Sequence, residues 1–283
     1  MQRTNTHSHA RRALIVAFLG YWSGLDALFY WLNRKAKRVL TFHNVLPDAI
    51  ASEVPSFGYA DKLSEFASII EEIGRRFVFD VDVDKEGTCT ITFDDGYLNE
   101  YEVAGKWLME RNIPAILFVA GNIIGAKADD CLSVDKRHLK ELGIDFSSLS
   151  PEWKRLRFSG VTKEQLDDLR AHGWLVGWHS KSHEAISQMT LDRQREELAA
   201  PSEYRNVPMS YPFGMSSAVS MDTIRLAKEA GFPCAFSNDP WESPMRGNFY
   251  RMRYPVSTNK YEMHFLLSGL KYFIQHRKLL PRR

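Results

Sequence analysis

Cysteine is scarce. Cys89, Cys131 and Cys234 lie far apart in 283 residues and no CxxC occurs. A disulfide framework and a cysteine zinc site are therefore excluded. A reducing compartment suits this usage, and three thiols also suit the periplasm. Charge of one sign is lacking too: 37 Lys and Arg against 35 Asp and Glu leave a formal +2. That balance provides no global field for nucleic acid and no acidic solvating tail. There is no G-x-G-x-x-G, no Walker loop and no G-x-S-x-G nucleophile elbow. Internal repeats and low-complexity tracts are missing, and no linker follows residue 40. What remains is 44% hydrophobic and 25% charged, the usage of a globular chain. The length suits one α/β barrel of ~200–250 residues with a terminal appendage.

One apolar run approaches membrane length. Ala13 to Leu32 carries a single charge, Asp26. Its length reaches across a bilayer. Gly20, Ser23, Gly24 and Asp26 sit near its middle, however, and an acid at a helix centre costs about 2.5–3.5 kcal/mol on insertion. As a signal peptide it is poor, because the purely apolar part behind Arg11 and Arg12 ends at Leu19 and no A-x-A follows. Leu25, Leu28, Phe29 and Leu32 recur at helical spacing. Tyr21, Trp22, Tyr30 and Trp31 favour interfaces, and Arg34, Lys35, Lys37 and Arg38 come next. Residues 1–37 thus read as an N-terminal amphipathic helix with a basic patch. Residues 13–38 would lie on an anionic lipid surface. The expectation is a peripheral protein of the cytoplasmic membrane face. A periplasmic barrel behind an N-terminal anchor is the alternative, as is a helix packed on its own domain or on a partner.

From residue 38 to 283 short apolar strands alternate with helical periodicity. The pattern predicts strands over 38–42, 88–93, 115–120, 174–178, 207–211, 234–237 and 249–256. It predicts helices over 59–76, 98–111, 161–172, 191–198, 221–230 and 261–277, with Thr162 and Gln165 spaced for a capping box. The segment 121–158 reads as long and irregular. Such alternation implies parallel βαβ units. In a β/α barrel the C-terminal strand ends share one face, where active sites are built. His43, Asp94-Asp95, His179 and Tyr211 all fall at such ends.

Three short motifs carry chemistry. In Thr92-Phe93-Asp94-Asp95-Gly96 a turn at Gly96 would let two adjacent carboxylates enter one pocket with different roles, one on a metal and one free as a base. Asp-Asp-Gly alone is a common turn. In His179-Ser-Lys-Ser-His183 the i, i+4 pair would face one way on a helix. Two imidazoles and a carboxylate form a catalytic metal set with an open position. Nine histidines would produce roughly 0.3 such pairs by chance, so placement at a strand end is what favours a site. In Tyr211-Pro-Phe-Gly214 the turn would aim a backbone N–H at a developing oxyanion. Trp174, Trp178 and Trp241 could stack on sugar rings, although such residues more often fill a core. Cys89 and Cys234 read as small buried hydrophobes.

In this order the motifs resemble those of the polysaccharide deacetylase family, the NodB-homology domain of carbohydrate esterase family 4. The resemblance covers roughly residues 38 to 260. It implies a distorted (β/α)7 barrel and a divalent metal, zinc before others, held by Asp95, His179 and His183. It implies Asp94 as the base, Phe213 N–H at the oxyanion, and an N-acetylated saccharide or a glycolipid or cell-envelope precursor as substrate. Many members carry an Arg two residues before the third motif's proline, where this chain has Ser210. Arg253, in Arg253-Tyr-Pro-Val256, resembles a recurrent R-x-P-V segment and is the candidate to orient the base, with Arg251 beside it. The late Leu-x-His motif of a general acid is missing, because His264 and His276 lie in the last helical segment. Leu40-Thr-Phe-His-Asn44 resembles the arrangement of permuted members, which makes His43 the candidate acid. Asp239-Pro240-Trp241 only loosely matches the family's Asp-Trp motif. The expected activity is hydrolysis of a linear amide. An O-acetyl ester or non-sugar amide, a non-catalytic saccharide-binding barrel, and a membrane anchor protein are the alternatives.

Overall fold

β5 (Thr88–Asp95) runs through the middle of the molecule with every residue buried. Alternating Thr and apolar residues end in the two aspartates, so the strand delivers its carboxylates to a sheet end. The computed structural model describes residues 14–54, 60–130, 133–238, 245, 247–256 and 258–280. Arg11, Arg12, Cys131 and Asp239-Pro240-Trp241 lie outside them.

Two helices, α1 (Leu14–Trp22) and α2 (Leu25–Leu32), lead into β1 (Arg38–Phe42), β2 (Asn44–Leu46) and α3 (Asp48–Ala51). β3 (Ala60–Lys62), α4 (Leu63–Gly74) and β4 (Val78–Phe79) precede β5. A π-helical turn (Glu100–Gly105) and α5 (Lys106–Met109) connect β5 to β6 (Ala115–Val119). Then come α6 (Ser133–Glu141), α7 (Pro151–Phe158), α8 (Lys163–Ala171), β7 (Leu175–Trp178), α9 (Leu191–Leu198) and β8 (Met209–Ser210). The chain closes with α10 (Met221–Glu229), β9 (Ala235–Phe236), β10 (Tyr254–Pro255), α11 (Lys260–Leu267) and α12 (Leu270–His276).

The main sheet runs β10-β1-β5-β6-β7-β8-β9, with β4 added at β5. Each of its ladders is parallel. It curls until Phe236 at the end of β9 bridges Arg251, three residues before β10, which itself pairs with β1. Seven strands thus form the distorted (β/α)7 barrel expected from the sequence. Its last three strands are only two residues long, which is the distortion. Helix starts follow capping chemistry. Thr162 and Gln165 make the predicted capping box of α8, and Ser220 and Thr223 make another at α10. Phe42, Phe66, Phe93 and Trp174 pack between sheet and helices, the Phe93 and Trp174 rings stacked 5.9 Å apart. Trp174 and Trp178 are core residues, as are the buried Cys89 and Cys234.

Three expectations change. The segment 121–158 is not irregular: it contains α6 and α7, and Ser150 caps α7 with Pro151 at its first position. The last helix is two helices, broken at Gly269, whose φ of 86° suits glycine. A Cβ there would also meet Asn33 Nδ2 and Leu280 at 2.7 Å. Lastly, the N-terminal helix breaks at Ser23-Gly24 into two limbs bent by 83°, with Gly24 at φ 77°. Its inner side packs on the domain, where Ala17 and Phe29 bury against Phe265 and Leu270.

Candidate metal and acyl-transfer site

The register of the sheet brings the strand-end residues together. Phe42 pairs with Phe93, so His43 stands beside Asp94. Asp95 pairs with Val119, and Val119 with Trp178, so His179 follows one strand further on. Ser210 ends β8 next to His179.

Asp94 is fully buried. Arg253 grips it with Nη1 on Oδ1 at 2.7 Å and Nη2 on Oδ2 at 2.6 Å. The remaining guanidinium donors go to Thr92 Oγ1, Asn238 Oδ1 and the Ser237 carbonyl, so all five are used. Arg251, two residues earlier, points to Asp84 and Asn248 instead. Burial pushes the Asp94 carboxyl up, but Arg253, with His179 and His43 behind it, outweighs burial and holds it at about 2.

Asp95 turns the other way. Its φ is 90°, and Gly96 follows at 94°, so the backbone leaves the strand at Asp95 itself. This rotation is how neighbouring carboxylates share one pocket. Asp95 Oδ1 lies 3.0 Å from His183 Nε2 and 3.6 Å from His179 Nε2. Burial raises its pKa, yet His183 more than offsets that and holds the group well below the usual carboxylate range. For His179 burial dominates and lowers the pKa to about 4, which keeps the imidazole neutral and able to bind a cation. Its Nδ1 faces the Ser210 carbonyl at 2.9 Å and Ser210 Oγ at 2.6 Å, while that hydroxyl donates to Asp94 Oδ1 at 3.0 Å. The ring is thereby oriented with Nε2 toward Asp95.

The His-x-x-x-His pair is not on a helix. Residues 179–183 form a tight loop in which Ser180 and His183 adopt φ of 64° and 57°. Two left-handed residues, rather than helical periodicity, aim both rings inward, with centroids 5.0 Å apart. Glu197, buried on α9, holds the loop: its carboxylate accepts Lys181 N–H, Ser182 N–H and Ser182 Oγ–H at 2.8–3.0 Å.

Asp95, His179 and His183 together place three ligand atoms within 4.8 Å of one another. Asp95 Oδ1 is buried with no hydrogen-bond partner, as is His183 Nδ1. An orphaned carboxylate oxygen facing two imidazole nitrogens fits a divalent cation, for which one oxygen and two nitrogens are a usual set. Distances of 3.0 and 3.6 Å bracket the roughly 3.3 Å edge of a tetrahedron with bonds of ~2.0–2.1 Å.

Phe213 adopts φ 60° and stands over His183 with rings 5.1 Å apart. Its turn is pinned by Gly214, where a Cβ would meet Asn238 N at 2.3 Å. Tyr211 anchors the preceding strand end through its hydroxyl on the Phe249 carbonyl. His43 is half-buried at the mouth, close enough to act electrostatically on both aspartates. Asn99 steadies the segment after it, accepting from Val45 N–H and donating to Asn44 Oδ1.

Four supporting residues were not picked out from the sequence as site residues: Ser210 in this bonding role, Glu197, Asn99 and Glu100. Glu100 is buried, accepts Gly96 N–H at 2.8 Å, and is raised well above its ordinary pKa, chiefly by burial. No local pattern marks them, since each acts from another element or from a π-turn. Asp94, Asp95, His179, His183, Phe213, His43 and Arg253 all reach one end of the barrel.

The family model for polysaccharide deacetylase matches residues 82–235. The curated Bacillus subtilis (strain 168) protein YxkH is 24% identical over 162 residues, 55% of this chain and 46% of its own length. This chain therefore spans about half of that relative. Among solved structures, the Streptococcus pyogenes deacetylase PplD in complex with acetate has a TM-score of 0.61 at 15% identity, covering 83% of this chain and 97% of its own. IcaB from Ammonifex degensii has a TM-score of 0.56 at 20% identity, covering 83% and 96%. A de-N-acetylase from Aggregatibacter actinomycetemcomitans has 0.58 at 16% identity, covering 79% and 96%.

Proposed function

Because this chain belongs to the polysaccharide deacetylase family, we propose that it is a metal-dependent amidohydrolase that removes acetyl from an N-acetylated saccharide. The observation that carries this reading is the division of labour between adjacent carboxylates. Asp95 faces two imidazole nitrogens, while Asp94 is gripped by Arg253 and accepts from Ser210 Oγ beside His179.

Asp95, His179 and His183 would hold a divalent cation, which when bound activates water and polarises the acyl oxygen. Asp94 accepts the proton of the attacking water. Arg253 and Ser210 fix its two oxygens, so its lone pairs point in a set direction and it stays ionised at neutral pH. The Phe213 N–H, held out by its left-handed turn, donates to the oxygen that gains charge. His43 delivers a proton to the departing nitrogen, because an amide anion is too poor a leaving group near neutral pH. Water and amide thus become acetate and free amine. Relatives of this fold include a deacetylase bound to acetate and a de-N-acetylase, which supports the acyl group chosen.

The test is acetate release from N-acetylglucosamine oligomers and lipid-linked saccharides, with and without chelator. Release that chelator abolishes and zinc restores is expected. Release from O-acetylated sugars alone would replace the amide by an ester.

A further inference from the structure

α1 and α2 carry a surface that the reaction does not use. Ten of the eighteen exposed large apolar side chains among the described residues lie between Leu14 and Leu32. Ile15, Leu19, Trp22, Leu28 and Trp31 are 58, 58, 66, 48 and 60% exposed. The opposite side is built into the domain. Asp26, only 4% exposed, accepts from Ser268 Oγ at 3.0 Å. Asn33 donates to the Ser268 carbonyl and accepts from Leu280 N–H. Arg38 donates to the carbonyls of Asn33, Ala36 and Leu267. The single acid that argued against lipid contact is thus turned inward, and the corner is not a detachable arm.

The charge of the chain is segregated toward its two ends. Residues 1–38 hold seven Arg and Lys and one acid, and residues 271–283 hold five and none. The 232 residues between them hold the other 25 basic and 34 acidic side chains. The overall +2 therefore conceals chain ends that sum to +11 and a middle of −9, and among the described residues Arg34, Lys35, Arg277 and Lys278 stand exposed beside the corner.

We propose that the α1–α2 corner is a monotopic membrane platform that seats its outer face in the interface of an anionic lipid bilayer. No single described helix is long and apolar enough to cross a membrane. The two limbs, nine and eight residues long, rise only roughly 12–14 Å against a ~30 Å hydrocarbon core. Bent by 83°, with one side packed on protein, they lie in the interface. There Trp22 and Trp31 take headgroup depth and the cations meet anionic lipid. A second copy of the chain is a poorer occupant, since pairing on this face brings two cationic rims together.

The test is co-sedimentation of the full chain with phosphatidylcholine vesicles, with and without phosphatidylglycerol. Binding to the anionic vesicles is expected, with quenching of tryptophan fluorescence by brominated lipid. Trp22→Glu with Leu28→Glu should lower partitioning by about a hundredfold or more, with the melting curve unchanged. Arg277→Glu with Lys278→Glu should lower it roughly tenfold or more, on anionic vesicles only. If the first variant does not fold, the quenching of the wild-type chain still decides. No binding of the wild type to anionic vesicles overturns the proposal. So does a wild-type dimer that the first variant splits while neither form binds vesicles, which would make the face an interface between copies.

Discussion

Arg253 and Asp94, 159 positions apart, meet as a two-point ion pair with contacts of 2.6 and 2.7 Å and no exposed side-chain surface on either partner. Both carboxylate oxygens are engaged, so Asp94 cannot swing to join Asp95 on a cation. Under the proposed function, the pair assigns proton acceptance to Asp94 and leaves Asp95 for the cation.

Arg253→Lys replaces a fork by a point charge and should lower kcat by roughly 10²–10³ with metal content retained. The sign of the pH effect follows from the opposed causes at Asp94. Burial raises its pKa and Arg253 lowers it to about 2, so weaker pairing moves it up. The acid-side loss of kcat/KM should begin at higher pH than in the wild type. Arg253→Ala leaves a buried charge unpaired and should cost ~3–5 kcal/mol of stability at neutral pH, read by denaturant unfolding.

His183→Ala and Asp94→Asn should separate binding from chemistry. The first removes one of three ligand atoms, and metal analysis of the purified protein should find the site depleted. The second should keep stoichiometric metal and lose deacetylation by about three decades or more. Full metal in His183→Ala would remove His183 from the ligand set.

His43→Ala should keep metal and fold, while kcat on an N-acetyl substrate falls by ~10²–10⁴. The loss should shrink on an activated aryl acetate, whose leaving group needs no proton. A kcat within a few-fold of wild type on the amide would make His43 a structural residue at the mouth.

Glu197→Ala should weaken metal binding without touching a ligand. It removes the acceptor of three bonds in the 179–183 loop, whose left-handed residues cost on the order of 1–3 kcal/mol each and persist only while held. A loss of ~10–100-fold in affinity, read by chelator competition, is expected.

Asp26→Asn should stabilise the protein at neutral pH. Burial, only partly offset by the bond from Ser268 and the charge of Arg76, raises the Asp26 pKa. A raised acid contributes stability that is present below its unfolded pKa and lost as pH rises through the folded value. Asparagine keeps an acceptor for Ser268 and removes that loss. Tm should rise at pH 8, with the gain gone near pH 4.

The barrel and its order of motifs could be read from the chain because strand and helix periodicities are local. The residues bearing chemistry stand at the ends of apolar runs, and the parallel βαβ rule sends those ends to one face. The capping box at Thr162, the buried strand before Asp94, and the candidate site residues are all short-range signals. What tertiary structure alone decided are contacts between distant elements. Which arginine meets Asp94 depended on β10 curling round to β1, since Arg253 and Arg251 differ by two positions and point to opposite partners. That His179 and His183 converge in a strained loop depended on Glu197 from α9, because backbone in the left-handed region leaves no mark on Ser or His. Whether Asp26 faces lipid or protein depended on Ser268, 242 residues away. Periodicity finds an apolar face, but only the packed neighbours determine which side of the helix is turned to the solvent.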